Sequence, residues 1–131
     1  MFDVYMIKKK ALLVGRPLGI LDAKTAEKIV EFIELKETLE ETGFHRFCDL
    51  TNLKGIRLSS VEVLKLADRR RAFNPNDIRV KSAFLATDPL ALGIARMYQE
   101  LLNSPRIKVR VFEDLQAAAD WLEVKVDSLK H

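Results

Sequence analysis

The segment most informative about the fold is Phe47-Cys48-Asp49-Leu50-Thr51, followed by a loop and then by Ser59-Ser60-Val61-Glu62. The first five residues predict an apolar strand that ends in an acidic residue and a threonine. The paired serines predict the start of a helix, because Ser59 and Glu62 have the spacing of a capping box. In α/β domains, ligands and phosphate groups bind where strand ends lead into helix N-termini. This stretch is therefore the first place to look for a site.

Strands and helices alternate on both sides of this stretch. Phe2–Ile7 and Ala11–Gly15 predict a hairpin around Lys8-Lys9-Lys10. The remaining predicted strands cover residues 44–50, 80–86 and 107–112, and the predicted helices cover residues 23–41, 59–73, 89–102 and the segment after Asp114. Asn74-Pro75 predicts the end of the second helix. The order ββαβαβαβα predicts an α/β fold with a mixed, mainly parallel sheet and helices on both faces.

Length and composition describe one globular domain. The chain has 131 residues, of which 48% are hydrophobic and 31% charged. We expect a single domain over residues 1–124 and a C-terminal tail over residues 125–131. No apolar run approaches the roughly 18 residues that indicate a membrane span. The N-terminus lacks the pattern of a secretion signal, and the lone Cys48 suits a reducing compartment, so we expect a cytoplasmic protein.

The charge pattern gives a weak indication of an anionic partner. The net charge of +3 is too small to indicate nucleic acid binding. Arg69-Arg70-Arg71 lies within a predicted helix, where successive side chains point about 100° apart. The default interpretation is a solvated face, partly neutralised by Asp68 and Glu62. The alternative is a contact with an anionic partner surface, and its candidate residues are Arg57, Arg69, Arg70, Arg71 and Arg96.

The predicted order of elements resembles the SpoIIAA-like fold of STAS domains, which include the anti-sigma-factor antagonists and modules of sulfate transporters. In STAS domains a buried strand ends in Asp-Leu-Ser or a similar triplet, and Asp-Ser-Ser-Gly opens the next helix. Asp49-Leu50-Thr51 matches the triplet, and Ser59-Ser60 falls close to the second motif. Leu58 stands where that motif has Asp, and Val61 where it has Gly. Residues 87–98 and 111–122 are also similar to small bacterial proteins of this fold without a settled activity.

The resemblance implies a non-enzymatic regulatory module that docks a protein partner. In that family a serine of the motif is phosphorylated by a partner kinase, which releases a bound anti-sigma factor. Ser59 and Ser60 are therefore the candidates for phosphorylation or partner docking. The alternative interpretation is structural, with Ser59 as an N-cap and Ser60 facing solvent. A phosphoserine at a helix N-terminus would be stabilised by the helix dipole.

A second candidate site is a ligand crevice where two predicted neighbouring strands end. Its residues are Asp49, Thr51, Asn52, Thr87 and Asp88. The helix N-termini that follow these strands would complete an anion or small-ligand site. Ordinary capping and loop chemistry is the alternative, and we expect Asp49 to bond backbone amides of its loop. No nucleotide-binding glycine motif accompanies these residues.

Other functions have less support in the sequence. His45 and Cys48 are three residues apart on a predicted strand and so face opposite sides, and the remaining histidine is His131. This pattern predicts no metal site, no cofactor and no catalytic dyad, so we expect a protein that is not an enzyme. The runner-up function is small-ligand or lipid binding in a pocket beside the sheet, by analogy with the related SEC14-like fold. Trp121 lies off the inward stripe of the last helix, which indicates contact with the tail or with a second copy in a homodimer.

Overall fold

The computed structural model describes residues 2–73 and 75–130, so the predictions for Asn74 and His131 lie outside it. The strands of the described residues are β1 (Phe2–Ile7), β2 (Leu12–Pro17), β3 (Gly19–Asp22), β4 (His45–Asp49), β5 (Leu53–Arg57), β6 (Val80–Leu85) and β7 (Ile107–Phe112). The α-helices are α1 (Ala23–Leu39), α2 (Ser60–Ala72), α3 (Pro89–Leu102) and α4 (Leu115–Leu122).

The main sheet has five strands in the order β1-β2-β4-β6-β7. β1 pairs antiparallel with β2, while β2, β4, β6 and β7 are parallel to one another. β7 is an edge strand in which exposed Lys108 and Arg110 alternate with buried Ile107 and Val109. The prediction of a mixed, mainly parallel sheet with an initial hairpin is confirmed.

A second, two-stranded sheet was not predicted. β3 and β5 pair in parallel, with Asp22 opposite Arg57 in the register. The sequence predicted that the second strand ends at Gly15 and that Thr51 to Leu58 form a loop. Instead, β2 continues to Pro17, and both supposed loop segments contain short strands. Each strand has only four or five residues, and a strand this short is stabilised by its partner more than by its own sequence.

The helix starts are confirmed. The side chains of Asp22, Ser59, Asp88 and Asp114 each accept backbone hydrogen bonds in the first turn of α1, α2, α3 and α4 respectively. Asp88 is followed by Pro89 at the first helical position, where the missing N–H costs nothing. These caps satisfy donors that have no partner within the helix.

The sheet is covered on both faces. On one face, α4 packs its buried Ala118, Ala119 and Leu122 against Phe47 and neighbouring strand residues. The other face carries α1, α2 and α3. Successive strand residues alternate between the two faces, so Phe47 belongs to the α4 side while Arg46 and Cys48 face α1–α3.

The predicted tail differs from expectation because it packs onto the core. Residues Val126–Leu129 form a short 3-10 helix, and Leu129 is 1% exposed within the core on the α4 side. The Leu129 carbonyl accepts a hydrogen bond from Arg16 Nη2, and the Ser128 carbonyl accepts one from the Tyr5 hydroxyl at 2.9 Å. The C-terminal segment therefore completes the cover that α4 begins, since α4 alone has only eight residues.

Candidate functional site

The N-terminus of α2 presents two serines in different roles. Ser59 Oγ accepts a hydrogen bond from the Glu62 backbone N–H at 3.1 Å, and Glu62 Oε1 accepts one from the Ser59 backbone N–H at 2.9 Å. This is the predicted capping box. Ser60 is exposed as the first residue of α2. Its hydroxyl is therefore the more accessible of the two for modification or docking.

An apolar strip lies beside Ser60 on the same helix. Val61 is 59% exposed and Leu64 is 40% exposed. Residues three and four apart are neighbours on a helix surface, so Ser60, Val61 and Leu64 form one continuous patch, which we call the α2 patch. Leu90, at the start of α3, is a further large apolar side chain that is 53% exposed. Solvated apolar side chains grouped with a polar residue are typical of a protein contact surface.

The predicted crevice residues lie at the C-terminal ends of β4 and β6. These two strands are parallel neighbours, with Asp49 opposite Leu85. Asp49 Oδ1 accepts hydrogen bonds from the Thr51 backbone N–H at 2.9 Å and from Thr51 Oγ1 at 2.6 Å. Asp49 Oδ2 lies 3.6 Å from Arg16 Nε. Asp49 therefore makes the loop contact expected from the sequence, and its charge is paired within the fold.

Asp88, on the other side of the predicted crevice, also makes hydrogen bonds that stabilise the fold. Asp88 Oδ2 accepts from the backbone N–H groups of Leu90 and Ala91 at 3.1 and 3.3 Å. Thr87 and Asn52 are exposed. The strand ends meet as predicted, but both carboxylates are used for a turn and a cap.

The three consecutive arginines of α2 contact other parts of the same chain. Arg70 is 3% exposed. Its guanidinium pairs with Glu37 at 2.5 Å and with Glu34 at 3.4 Å. Arg69 pairs with Glu34 at 2.7 Å, and Arg71 pairs with Asp68 and donates to the C-terminal carbonyls of α3. The solvated-face interpretation therefore fails for Arg70, which the fold buries against α1.

The remaining candidate arginines lie elsewhere. Arg57 is exposed at the end of β5. Arg96 is exposed on α3, 3.7 Å from Glu113. The structure thus does not gather the five arginines into one shared surface, because Arg69, Arg70 and Arg71 each have internal partners. An anionic contact remains a prediction only for the exposed Arg57 and Arg96.

A cavity that no sequence motif indicated lies between the sheet and the three helices on its open face. Its volume is about 160 Å³. The walls are mainly apolar, with side chains from α1, α2, α3 and the strands; they include Leu13, Ile29, Val63, Phe84 and Ile94. Gly15 forms part of the floor, and a Cβ added there would meet no atom within 4 Å. Core packing is therefore incomplete on this side of the sheet.

Polar groups are concentrated where Arg46, Arg70, Ser82 and Tyr98 line this cavity. Arg46 is 7% exposed. Its Nη1 donates to Glu37 Oε2 at 2.8 Å, and its guanidinium carbon lies 4.5 Å from the centre of the Phe44 ring. Among the described residues, Arg46 Nε is one of two buried side-chain nitrogens without a hydrogen-bond partner; the other is Arg16 Nη1. Such unpaired buried donors are rare in folded proteins.

Sequence reasoning missed Arg46, although a signal for it was present. Arg46 stands between Phe44 and Phe47 in a strand predicted to be buried. A charged residue in such a strand is almost never fully buried unless it is paired. Its partner Glu37 lies on α1, nine residues earlier, so the pairing depends on the tertiary fold.

His45 and Cys48 also have structural surroundings. His45 Nδ1 accepts a hydrogen bond from the Lys81 backbone N–H at 2.9 Å, and burial lowers the pKa of His45, assisted by the charges of Lys81 and Arg46. Cys48 lines the cavity, and burial raises the pKa of its thiol to about 12. A thiol with so high a pKa is a poor nucleophile.

Trp121 contacts its own chain. Its ring lies 5.6 Å from the Phe112 ring, and its carbonyl accepts a hydrogen bond from Lys81 Nζ at 2.8 Å. Trp121 packs against the same core cluster as Val124, Val126 and Leu129. Trp121 therefore has packing partners in β6, β7 and the core, and its expected contact with the tail or with a second copy stays a prediction.

Metal-binding groups and membrane-spanning helices are both absent from the described part of the chain. No group of three His, Cys, Asp or Glu side chains within residues 2–73 and 75–130 is placed to bind a metal ion. In the same residues, no helix combines the length and the apolar character needed to cross a bilayer.

The arrangement of sheet and helices is that of an α/β protein with the SpoIIAA-like fold. One similar solved structure is an uncharacterized protein of the DUF3478 family, described as having a SpoIIAA-like fold, from Shewanella loihica PV-4. It has a TM-score of 0.59 and 18% sequence identity over 93% of this chain and 92% of that one. Another is the anti-sigma factor antagonist SpoIIAA in its unphosphorylated form, with a TM-score of 0.57 and 16% identity over 94% of this chain and 98% of that one. No protein-family model and no curated protein matches the sequence.

Proposed function

We propose that this protein is a non-enzymatic, STAS-like regulatory module that docks a protein partner through the α2 patch. The supporting observation is the patch itself, in which exposed Ser60 adjoins Val61 at 59% and Leu64 at 40% exposure. The anti-sigma factor antagonist SpoIIAA shares the fold. The proposed site of docking is therefore the start of the helix that follows the Asp49-Leu50-Thr51 strand end.

The geometry favours Ser60 over Ser59 as the residue whose modification would control docking. Ser59 Oγ is committed to the capping box, and the Glu62 carboxylate lies beside it. A phosphate on Ser59 would break this box and face a like charge. A phosphate on Ser60 would lie in the first turn of α2, where the helix dipole favours negative charge. It would also place charge at the centre of the apolar contact.

The test is quantitative affinity capture from the cells that produce the protein. We expect Ser60→Glu and Ser60→Trp to lose a partner that wild-type protein retains, since each disrupts the α2 patch by charge or bulk. Gln116→Trp, on an exposed position of α4, is the matched control and should retain the partner. Circular dichroism of all variants establishes that the fold is intact. Equal capture by wild type and both Ser60 variants would exclude docking at this patch.

A second candidate function, small-ligand binding, has an observation of its own. The cavity of about 160 Å³ beside the sheet is mainly apolar and has a polar group of Arg46, Arg70, Ser82 and Tyr98. Its volume is close to that of an engineered cavity of about 150 Å³ that binds benzene, so a small molecule would fill it. Native mass spectrometry of gently purified protein tests this function. A stoichiometric small molecule supports it, and a bare chain counts against it.

A further inference from the structure

Two buried arginines, Arg46 and Arg70, line the cavity beside the sheet. Their side chains are 9% and 3% exposed, so water screens their charges poorly. Arg70 pairs with both Glu34 and Glu37, whereas Arg46, among the described residues, pairs with Glu37 alone and shares it with Arg70. A buried charge that is incompletely paired is costly. Arg46 would therefore gain from one additional negative charge beside it.

The unpaired donor belongs to a side chain that lines the cavity. Arg46 lines the cavity, and its Nε is buried without a hydrogen-bond partner among the described residues. Tyr98 lines the same cavity, and burial raises the pKa of its phenol, so Tyr98 stays neutral and adds no negative charge. A carboxylate accepts hydrogen bonds from a guanidinium with matching planar geometry. The chemistry of this part of the cavity thus complements a carboxylate.

The rest of the cavity sets the shape of the remaining part of the ligand. Its walls are apolar side chains and Gly15, where an added Cβ would meet open space. An apolar cavity near 150 Å³ holds a molecule about the size of benzene. A long acyl chain would extend beyond this volume. The apolar part of the ligand is therefore a single ring or a short aliphatic chain.

We propose that the cavity binds a small aromatic or short-chain monocarboxylic acid, with its carboxylate on Arg46 and its apolar part against Gly15. The inference rests on the second candidate function, small-ligand binding, and gives that ligand a chemical class. It is independent of docking at the α2 patch. Arg46 contacts the carboxylate of the bound acid, and Gly15 leaves the space that the ring or chain occupies.

The experiment compares benzoate and hexanoate with their neutral counterparts, benzyl alcohol and hexanol. Isothermal titration measures affinity, and the Nε–H resonance of Arg46 in nitrogen-15 NMR spectra, assigned with Arg46→Lys, reports the contact. We expect the acids to bind about 10- to 100-fold more tightly than the alcohols, the value of a hydrogen bond to a charged group. We also expect the acids to shift the Arg46 resonance.

Two glycine variants establish where the acid binds. Gly15→Leu fills the cavity without changing the charged network, and it should abolish binding. Gly93→Leu changes an exposed glycine of α3 whose added Cβ also meets nothing within 4 Å, and it should bind like wild type. Thermal unfolding without ligand shows that both variants are folded. Binding that survives Gly15→Leu would place the ligand elsewhere and overturn the proposal.

The remaining outcomes separate this proposal from the function on which it rests. Equal affinity for acids and alcohols would overturn carboxylate recognition but retain small-ligand binding. Binding of neither, with a stoichiometric neutral molecule in gently purified protein, would overturn only the class of ligand. Binding of neither, with no co-purifying molecule, would overturn both. An Arg46 Nε–H resonance unmoved by a bound acid would also overturn the assigned head-group contact.

Discussion

The burial of Arg46 costs free energy, and the same buried guanidinium is the proposed contact for a ligand carboxylate. Burial lowers the pKa of its guanidinium, although the adjacent Glu37 carboxylate acts in the opposite direction. Glu37 contacts both Arg46 and Arg70, so one carboxylate serves two buried cations. Replacing that carboxylate would leave Arg46 uncompensated and Arg70 with Glu34 as its remaining partner, and a buried charge that loses its partner is strongly destabilising.

His45 gives a prediction for the pH dependence of stability. Its folded pKa lies below the ordinary value of 6.5 because burial disfavours the charged ring, so the unfolded chain binds more protons below that value. The contribution of His45 to stability is therefore fully present above pH 6.5 and is lost as the pH falls toward the lowered folded pKa.

We expect His45→Asn to lose less stability than wild type between pH 7.5 and pH 5.5, a range bracketing the unperturbed histidine value. The Asn side-chain oxygen can accept the Lys81 N–H hydrogen bond that His45 Nδ1 now accepts, but it does not titrate. Urea unfolding of both proteins at the two pH values measures the difference. Identical pH slopes would contradict the assignment of a depressed His45 pKa.

At the scale of the element, α2 is defined by its first turn and by one buried arginine. The capping box fixes its start, and the Arg70 contact with Glu34 and Glu37 fixes α2 against α1. Ser59 and Ser60 are adjacent in sequence but have different roles. Ser59 caps the N-terminus of α2, and Ser60 is exposed and is the proposed contact for a partner.

We predict that Ser59→Ala lowers the free energy of unfolding by about 1 kcal/mol, as is typical for loss of an N-cap side chain. Ser60→Ala is the matched control and should stay within about 0.5 kcal/mol of wild type, as exposed substitutions usually do. Chemical denaturation measures both. Equal effects at the two positions would contradict the division of roles between the serines.

At the scale of the whole molecule, the two faces of the sheet are packed differently. The α4 face is closed by the C-terminal segment, with Leu129 1% exposed and tied to Arg16 through its carbonyl. The α1–α3 face retains a cavity of about 160 Å³. Both faces therefore contribute packed core clusters, and the α1–α3 face also has room for a ligand.

We expect Leu129→Ala to destabilise the protein by about 2–5 kcal/mol, the usual cost of deleting a buried leucine side chain. Leu35→Ala is the matched control, because Leu35 is 57% exposed on α1, and its effect should be much smaller. Thermal and urea unfolding provide the measurement. A small effect at Leu129 would show that the C-terminal segment contributes little to the core.

The main sheet, the four helices and the capping box of α2 were predictable from the sequence alone. These features follow from local physics: apolar periodicity sets the buried face of each element, and Asp or Ser before a helix satisfies its free N–H groups. The sequence also placed Asp49 and Asp88 at strand ends that meet in the structure. Those two predictions needed only the alternation of strands and helices, which brings parallel strand ends to one edge.

The β3–β5 sheet, the burial of Arg70 and Arg46, the docking of Leu129 and the cavity could be seen only in the folded structure. Each depends on residues far apart in the chain: β3 needs β5, Arg70 needs Glu37 on α1, and Leu129 needs Arg16 on β2. Local propensity carries no information on such pairings. The cavity is even less predictable from local sequence, because it is the space that helices from three separate segments leave above the sheet.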